Sequence, residues 1–307
     1  MTSKTLCLKI DVDTHDGMKN GVEPLLEDLA HFGIKATFCL SFGPDNSGKA
    51  IFRLFRDPRF LKKMLSTGAP KLYGLRTIVS GTILPARPIA TAFPGLCKRI
   101  RDEGHEVIVH AWNHRRWQDH LQDMTKEEIS NEFKKAFLAY RQILGVRPWA
   151  VAAPGWQVTE TSLQLQDGMG LLYASDLRDG RPCLLKAGKK VFRTLQIPTT
   201  GPCVEELLAI GIRREDDLLD AMKEGLSEAE FPVLALHAEV EGGPYRPFFR
   251  RLMTALLKRY HKVVTLGELA TTLLDGPSGI EVCDLSFIEL PGRAGRVASG
   301  SCGGEPK

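Results

Sequence analysis

Two aspartates and two histidines, roughly a hundred residues apart, have the types and spacing needed to bind a metal ion. Asp11 and Asp13 end an apolar run at residues 6–13. His110 ends a second run at residues 106–110, and His114 follows four residues later. Three carboxylate and imidazole ligands leave coordination positions open for water and substrate. The two pairs therefore predict a catalytic metal site rather than a closed structural one.

Each pair alone is a weak signal. An isolated Asp-x-Asp is more often a turn pair, and an isolated His-x-x-x-His is more often two hydrogen-bonded, partly buried imidazoles. Both pairs, however, follow predicted strands. The carboxyl ends of parallel strands meet at one edge of the fold, where active sites of α/β proteins lie. Strand alternation also places Asp11 and Asp13 on one face, together with Cys7 and Lys9.

A third histidine, His237, comes late in a predicted strand at residues 233–240. A histidine there could act as a general acid, because its ordinary pKa is near neutrality. The alternative is a core histidine that is hydrogen-bonded to a carbonyl. Glu239 falls on the same face of this predicted strand, where it could orient His237 or contact a substrate.

Two loops after predicted strands add candidate substrate contacts. Trp156, in Ala-Pro-Gly-Trp, could form an aromatic wall. Asp176 could hydrogen-bond a sugar hydroxyl, and Arg178 could bind a phosphate. Ordinary turns are the alternative for both loops.

Alternating apolar runs and helical patterns predict a parallel α/β sheet, either a barrel or doubly wound. The predicted strands are residues 6–13, 36–42, 106–110, 150–153, 172–175, 194–197, 233–240 and 262–265. The predicted helices are residues 22–32, 92–102, 126–144 and 248–260. Residues 276–307 are rich in Gly and Ser, and we expect this tail to be loosely ordered, although residues 285–290 could dock.

Composition excludes several classes of protein. The apolar fraction is 43%, the charged fraction is 25% and the net charge is +4, so no nucleic-acid partner is predicted. The sequence shows no secretory signal and no apolar run long enough to span a bilayer. The seven cysteines are scattered without Cys-x-x-Cys spacing, which favours reduced thiols in the cytosol over a disulfide framework or a thiolate zinc site.

Residues 49–87 depart from the rest of the chain, with nine basic residues, one acidic residue and interleaved apolar residues. This pattern predicts an insertion, at about residues 45–90, that lies on an anionic membrane surface. A solvated helical excursion packed on the barrel is an equally open alternative. The cations predicted to contact the membrane are Arg53, Arg56, Arg59, Lys62 and Lys63.

Together these motifs resemble the polysaccharide deacetylase superfamily, also known as the NodB-homology or carbohydrate esterase family four proteins. The resemblance is carried by IDVDT at residues 10–14, HEVIVHAWNH at 105–114, AAPGW at 152–156, SDLRDG at 175–180 and HAEVEG at 237–242. It implies a distorted (β/α)7 barrel over residues 1–275. Within the superfamily, the motifs are most similar to those of enzymes that deformylate a lipid-linked formamidoarabinose.

The resemblance also implies roles for individual residues. Asp13, His110 and His114 would bind a divalent metal ion, which could be Zn, Co, Mn or Ni. Asp11 would be the general base that deprotonates the attacking water, and His237 would protonate the leaving amine.

Four features depart from the related patterns. Val12 separates the two aspartates, and Asn113 and Gln157 stand where the deformylase pattern has Asp and Arg. The third motif also lacks the arginine that orients the base in the superfamily.

The implied activity is hydrolysis of an N-formyl amide on an undecaprenyl-phosphate-linked sugar. It would take place at the inner face of the cytoplasmic membrane, as part of lipid A modification and polymyxin resistance. A soluble amino-sugar N-deacetylase and a non-catalytic metal- or glycan-binding barrel are the alternatives. The oligomeric state does not follow from the sequence.

Overall fold

Most strands of the main sheet are followed by a helix that runs back along the sheet, so the next strand starts at the same edge as the one before it. The computed structural model describes residues 5–50, 80–82, 84–276 and 279–302. The strands in these ranges are β1 (Thr5–Val12), β2 (Thr37–Ser41), β3 (Glu106–Ala111), β4 (Ala150–Val151), β5 (Tyr173–Ala174), β6 (Leu184–Ala187), β7 (Lys190–Val191), β8 (Leu195–Gln196), β9 (Val233–His237), β10 (Lys262–Val264), β11 (Val282–Glu289) and β12 (Arg296–Ser301).

The helices cover the outside of this sheet. In the described ranges they are α1 (Val22–Phe32), α2 (Pro94–Asp102), α3 (His114–His120), α4 (Lys126–Leu144), α5 (Glu160–Met169), α6 (Val204–Ala209), α7 (Glu215–Ser227), α8 (Ala238–Glu241), α9 (Arg246–Leu256) and α10 (Leu266–Leu274). Local signals position their ends. A Thr125 capping box opens α4, and Gly33, with a φ of 66°, ends α1.

The main sheet is parallel throughout and curls on itself. Its strand order is β10-β1-β2-β3-β4-β5-β8, and β9 also pairs with β1. The backbone N–H of Thr200 donates to the carbonyl oxygen of Val233 at 3.0 Å, which joins the chain after β8 to the start of β9. The predicted distorted (β/α)7 barrel is confirmed.

Alternation along β1 separates two cores. One face of β1 packs against the helices through Leu6, Leu8, Ile10 and Val12. The opposite face joins a second cluster inside the curled sheet, with Cys7 next to Cys39, Ile108 and Tyr173. Lys9 and Asp11 share the face of Cys7, so β1 brings charged side chains into the barrel interior.

The prediction of a loosely ordered tail is wrong for residues 279–302. β11 and β12 form an antiparallel hairpin, and β11 pairs in parallel with β6. The hairpin buries Val297 and Ala298. Small residues here reflect close packing rather than disorder, since a Cβ on Gly300 would come within 3.0 Å of Cys183 Sγ.

The prediction of reduced cysteines is wrong for one pair. Cys283 of β11 and Cys302, the residue after β12, are joined by a disulfide. Their separation of 19 residues, with no local motif, gave no signal in the sequence. The other five cysteines are free and buried.

The strand predicted at residues 233–240 is shorter than expected. β9 ends at His237, and the next four residues form α8. Its backbone therefore turns at the histidine, and Glu239 lies on a helix instead of extending the strand.

The membrane-contact cations predicted in the basic insertion lie outside the described residues. The two ends of the insertion are described, and both contact the loop after β1. Arg87 donates two hydrogen bonds to Asp16, at 2.9 and 3.0 Å, and the His15 N–H donates to Asp45 at 3.0 Å. The insertion thus begins and ends next to the loop that carries Asp13.

Among the described residues, no helix has the length and apolar content needed to cross a bilayer.

Candidate active site

A carboxylate and two imidazoles converge at the carboxyl ends of β1 and β3. Asp13 follows β1, His110 lies near the end of β3, and His114 begins α3. Asp13 Oδ1 is 3.2 Å from His110 Nε2, and Asp13 Oδ2 is 3.2 Å from His114 Nε2. One possible ligand atom from each residue lies within 4.8 Å of the other two. The structure thus brings the three predicted metal ligands together.

The chemistry of these three side chains fits a divalent ion. His110 Nδ1 donates a hydrogen bond to the carbonyl oxygen of Ala152 at 2.8 Å, which leaves the Nε2 lone pair for a ligand bond. Although burial alone would raise the pKa of Asp13, the charge of His114 and the contacts with both imidazoles lower it well below its ordinary value. An ionised carboxylate and two imidazoles form a donor set typical of Zn²⁺, Co²⁺, Mn²⁺ or Ni²⁺ sites.

The start of α3 positions His114. Asn113 caps this helix, because its side chain accepts a hydrogen bond from the Arg116 N–H at 3.1 Å. The Asn113 N–H in turn donates to Glu132 of α4 at 3.0 Å. Asn and Asp are both good N-caps, so Asn113 keeps the helix start that the Asp of the related deformylase pattern would provide.

The candidate base and acid face each other on neighbouring strands. Asp11 of β1 is paired in register with His237 of β9. His237 Nδ1 lies 3.0 Å from Glu205 Oε1, which leaves Nε2 to face other partners. Although burial alone would lower the pKa of His237, the carboxylate of Glu205 raises it well above its ordinary value. His237 therefore holds a proton that it can donate.

A buried lysine accompanies Asp11 inside the barrel. Lys9 is completely buried, and its Nζ lies 3.6 Å from Asp11 Oδ2. Lys9 also donates a hydrogen bond to the carbonyl oxygen of Ser175 at 3.3 Å. Although burial alone would lower the pKa of Lys9, the nearby charge of Asp11 raises it. An ammonium group thus faces Asp11 where the third motif supplies no arginine.

Asp176 belongs to the same interior group of charges. It is completely buried and accepts a hydrogen bond from Gln166 Nε2 at 2.7 Å. Burial raises the pKa of Asp176, while hydrogen bonds and the charge of Lys9 oppose this increase. Asp176 is therefore placed to help balance the ammonium of Lys9, and direct contact with a sugar hydroxyl stays a prediction.

Two glutamates of α8 crowd His237. Glu241 Oε2 accepts a hydrogen bond from the His237 N–H at 2.7 Å, which ties the helix to the end of β9. Burial and the charge of Glu205 raise the pKa of Glu241 to about 8. Burial and the charge of Asp13 raise the pKa of Glu239 well above its ordinary value. A protonated Glu239 could donate a hydrogen bond, and its contact with substrate stays a prediction.

Trp156 is surrounded by cations. Its ring centroid lies 5.5 Å from Lys9 Nζ, 4.8 Å from Arg178 Cζ and 4.2 Å from Arg293 Cζ. Arg178 is buried and donates to Glu206 at 2.8 Å and to the Gly201 carbonyl at 2.6 Å. Trp156 is buried as well, so both side chains support the wall of the site, and their contact with substrate stays a prediction.

Gln157 takes the place of an arginine in the related deformylase pattern. Its Nε2 donates to the Arg296 carbonyl at 2.8 Å and to the Gly155 carbonyl at 3.2 Å. The residue therefore ties the loop of Trp156 to the C-terminal hairpin.

Sequence reasoning assigned no role to three residues of this site. Alternation placed Lys9 on the face of Asp11, which was the signal for its contact with that carboxylate. Glu205 and Arg293 reach the site through contacts distant in the chain, and no local motif marks them.

Comparison with known proteins decides the family. The sequence matches the family model described as "Polysaccharide deacetylase" over residues 3–174. The chain belongs to the polysaccharide deacetylase family. The probable 4-deoxy-4-formamido-L-arabinose-phosphoundecaprenol deformylase ArnD of Shewanella sediminis is 32% identical over 289 residues, which cover 94% of this chain and 92% of that protein. The protein with the same description in Wigglesworthia glossinidia brevipalpis is 30% identical, with 92% of this chain and 97% of that protein covered.

Solved structures agree with membership of the polysaccharide deacetylase family at the level of the fold. A polysaccharide deacetylase homologue from Mycobacterium smegmatis superposes with a TM-score of 0.58 at 17% identity, covering 94% of this chain and 96% of that chain. The trio of Asp13, His110 and His114 lies within the part of the chain that matches the family model, whereas His237 and the hairpin lie beyond it.

Proposed function

We propose that this chain is a metal-dependent amide hydrolase that deformylates undecaprenyl-phosphate-linked 4-deoxy-4-formamido-L-arabinose. The products are formate and the 4-amino sugar. The observation that carries the proposal is the joint placement of a metal-ligand trio, a buried carboxylate and a proton-holding histidine at one end of the barrel. The deformylase descriptions of the two full-length relatives support the choice of substrate.

Asp13, His110 and His114 would hold the divalent ion. When bound, such an ion supplies Lewis acidity, which polarises a carbonyl and makes a water molecule more acidic. The ionised state of Asp13 and the fixed tautomer of His110 prepare these ligands for that ion.

The protein's own groups move the protons. Asp11 accepts a proton from water as the oxygen adds to the formyl carbon. His237 donates a proton to the amide nitrogen as the carbon–nitrogen bond breaks, so the nitrogen leaves as an amine and not as an unstable anion. Lys9 orients Asp11, and Glu205 keeps His237 protonated. Atoms balance, since one water is consumed for each formate and amine formed.

The lipid-linked substrate implies a location. We propose that the protein works in the cytoplasm, peripherally bound to the inner face of the cytoplasmic membrane through the basic insertion, in lipid A modification that confers polymyxin resistance. Each basic residue near anionic lipid contributes about 1 kcal/mol, so a cluster of cations suffices for peripheral binding. The insertion's ends contact the loop after β1, so a bound membrane would lie near Asp13.

A soluble amino-sugar N-deacetylase is the second candidate, which the description of the family model favours. The two are separated by measuring kcat/KM for four substrates: formyl and acetyl amides of the sugar, each free and prenyl-phosphate-linked. The proposal predicts the highest kcat/KM for the linked formyl amide. A higher kcat/KM for either acetyl amide than for the linked formyl amide would favour the deacetylase.

A further inference from the structure

The C-terminal hairpin delivers an arginine to the wall of the candidate active site. Arg293 lies in the turn between β11 and β12, and its guanidinium stacks on Trp156 at 4.2 Å. Arg293 Nη1 donates to Glu206 Oε1 at 3.0 Å. Among the described residues, no acceptor is bound by Nη2 or Nε, and the side chain is 19% exposed. The guanidinium therefore retains donors that can face a ligand.

The backbone of the turn that carries Arg293 has a conformation that places this side chain against Trp156. The Arg293 N–H donates to the Leu290 carbonyl at 3.1 Å. Between them, Gly292 has a φ of 78°, and a Cβ there would lie 2.1 Å from the Glu206 carbonyl oxygen. Only glycine permits such a close approach with a left-handed backbone. The contact with α6 therefore fixes the arginine against Trp156.

The charges around Arg293 favour an anion. Arg178 and Arg293 share one carboxylate, since Glu206 Oε2 pairs with Arg178 and Oε1 with Arg293. Two guanidinium groups against one carboxylate leave an excess of one positive charge. Arg178 is buried and already bound to Glu206 and the Gly201 carbonyl, so the accessible part of this charge is on Arg293.

Arg293 is linked to the candidate acid through neighbouring residues. Its partner Glu206 is the residue next to Glu205, which contacts the candidate acid His237 at 3.0 Å. Val297 of the same hairpin packs in one cluster with Trp156 and Ala235, two residues before His237 on β9. The hairpin thus forms part of the wall on the His237 side of the site.

We propose that Arg293 binds the glycosyl phosphate of the substrate, with Trp156 as the platform that holds its guanidinium flat. This inference rests on the proposed function, because the phosphate is the anion that the lipid-linked sugar carries. A guanidinium presents parallel N–H donors that match phosphate oxygens, and stacking on a ring fixes its plane. The hairpin would then select phosphate-linked sugars over free ones.

The test compares two substrates that differ only in the phosphate: a short-chain prenyl-phosphate-linked 4-deoxy-4-formamido-L-arabinose and the methyl glycoside of the same sugar. For Arg293→Gln we expect KM for the phosphate substrate to rise about 10-fold or more. We expect kcat to change less than about 3-fold, and the methyl glycoside to be hydrolysed as by wild type. Arg296→Gln, which changes an exposed arginine of the same hairpin, should leave both substrates unaffected.

Equal losses on both substrates would overturn the inference and leave Arg293 with a purely structural role. If Arg293→Gln fails to fold, as judged by thermal melting, Arg293→Lys replaces it. The lysine keeps a charge but lacks the planar fork, so KM should rise for the phosphate substrate alone.

Calorimetric binding of the phosphate-linked sugar provides a readout that does not need turnover. If the wild type binds this sugar and Arg293→Gln binds it about 10-fold more weakly, the phosphate site is supported even if no formate is released. Equal affinity of the two proteins contradicts it. Absence of formate release by the metal-loaded wild type would count against the proposed function alone.

Discussion

Asp11 and His237 each lie beside a residue of opposite charge. The role of each can therefore be tested by substituting that partner. Lys9 Nζ lies 3.6 Å from Asp11, and Glu205 Oε1 lies 3.0 Å from His237. The ammonium of Lys9 holds the carboxylate of Asp11 in place, and the carboxylate of Glu205 raises the pKa of His237 well above its ordinary value. Each pair therefore supports the role proposed for its member.

Removing the ammonium of Lys9 should leave the base less well oriented. For Lys9→Met we expect kcat/KM to fall about 10- to 100-fold, a loss typical of groups that orient functional residues. The measurement is kcat/KM of the metal-loaded variant, with its metal content determined in the same preparation.

Lys9→Arg is the control, since it keeps the charge beside Asp11 and should restore most of the wild-type kcat/KM. A folded Lys9→Met protein with full metal content and the wild-type kcat/KM would contradict this role of Lys9.

Glu205 should determine the pH at which kcat/KM falls on the basic side of its pH profile. The carboxylate raises the pKa of His237, whereas burial lowers it. In Glu205→Gln the effect of burial remains, so His237 loses its proton at lower pH and the basic limb of kcat/KM moves to lower pH. Activity should therefore fall most above neutrality. Glu224→Gln, an exposed change on α7, is the matched control, and a basic limb that coincides in the two variants would contradict this role.

The sequence was sufficient to bring Asp11, His237 and the three predicted ligands to one end of the barrel, because each lies at or shortly after the end of a strand in a recognisable motif. Their roles as ligands, base and acid stay predictions. It was insufficient for Glu205 and Arg293, since their roles depend on α6 and the hairpin meeting the barrel far along the chain. The sequence placed three candidate substrate contacts in loops after strands, but it could not show that all three side chains are buried. They are Trp156, Asp176 and Arg178.

At the scale of elements, the C-terminal hairpin is the largest departure from expectation. Its Gly and Ser residues are typical of a loose tail, yet Gly292 approaches Glu206 of α6 and Gly300 approaches Cys183. The hairpin also pairs with β6 and accepts a hydrogen bond from Gln157 in the loop of Trp156. Composition does not distinguish a small residue that is exposed from one required by a close contact. The barrel strands, by contrast, were predicted within a few residues of their ends because buried parallel strands give continuous apolar runs.

The disulfide should stabilise this hairpin. Closing a loop of about 19 residues contributes roughly 3 kcal/mol to the free energy of unfolding by restricting the unfolded chain. In non-reducing buffer, Cys302→Ser should therefore be less stable by up to about that amount in denaturant titrations. Addition of a reductant should lower the stability of the wild type to that of the variant. Equal stability of the oxidised wild type and Cys302→Ser would contradict a stabilising bond.

At the scale of the whole molecule, the insertion is proposed to bring the barrel to its lipid-linked substrate. We expect wild type to float with vesicles that contain anionic lipid and not with neutral vesicles. Reversal of two predicted contacts, Lys62→Glu with Lys63→Glu, should reduce flotation and make it less sensitive to salt. Lys134→Glu with Lys135→Glu, a matched change on the exposed face of α4, should float as wild type does. Equal flotation of the two double variants would contradict membrane binding by the insertion.

The most direct test of the central claim measures formate and free amine released from prenyl-phosphate-linked 4-deoxy-4-formamido-L-arabinose. The account predicts equimolar formate and amine from the wild type, loss of release after chelation and recovery on adding back a divalent ion. It also predicts that Asp11→Asn binds the ion but is slower by at least about 10²-fold. Metal-loaded wild type that releases no formate, or Asp11→Asn that releases it at the wild-type rate, would contradict the account.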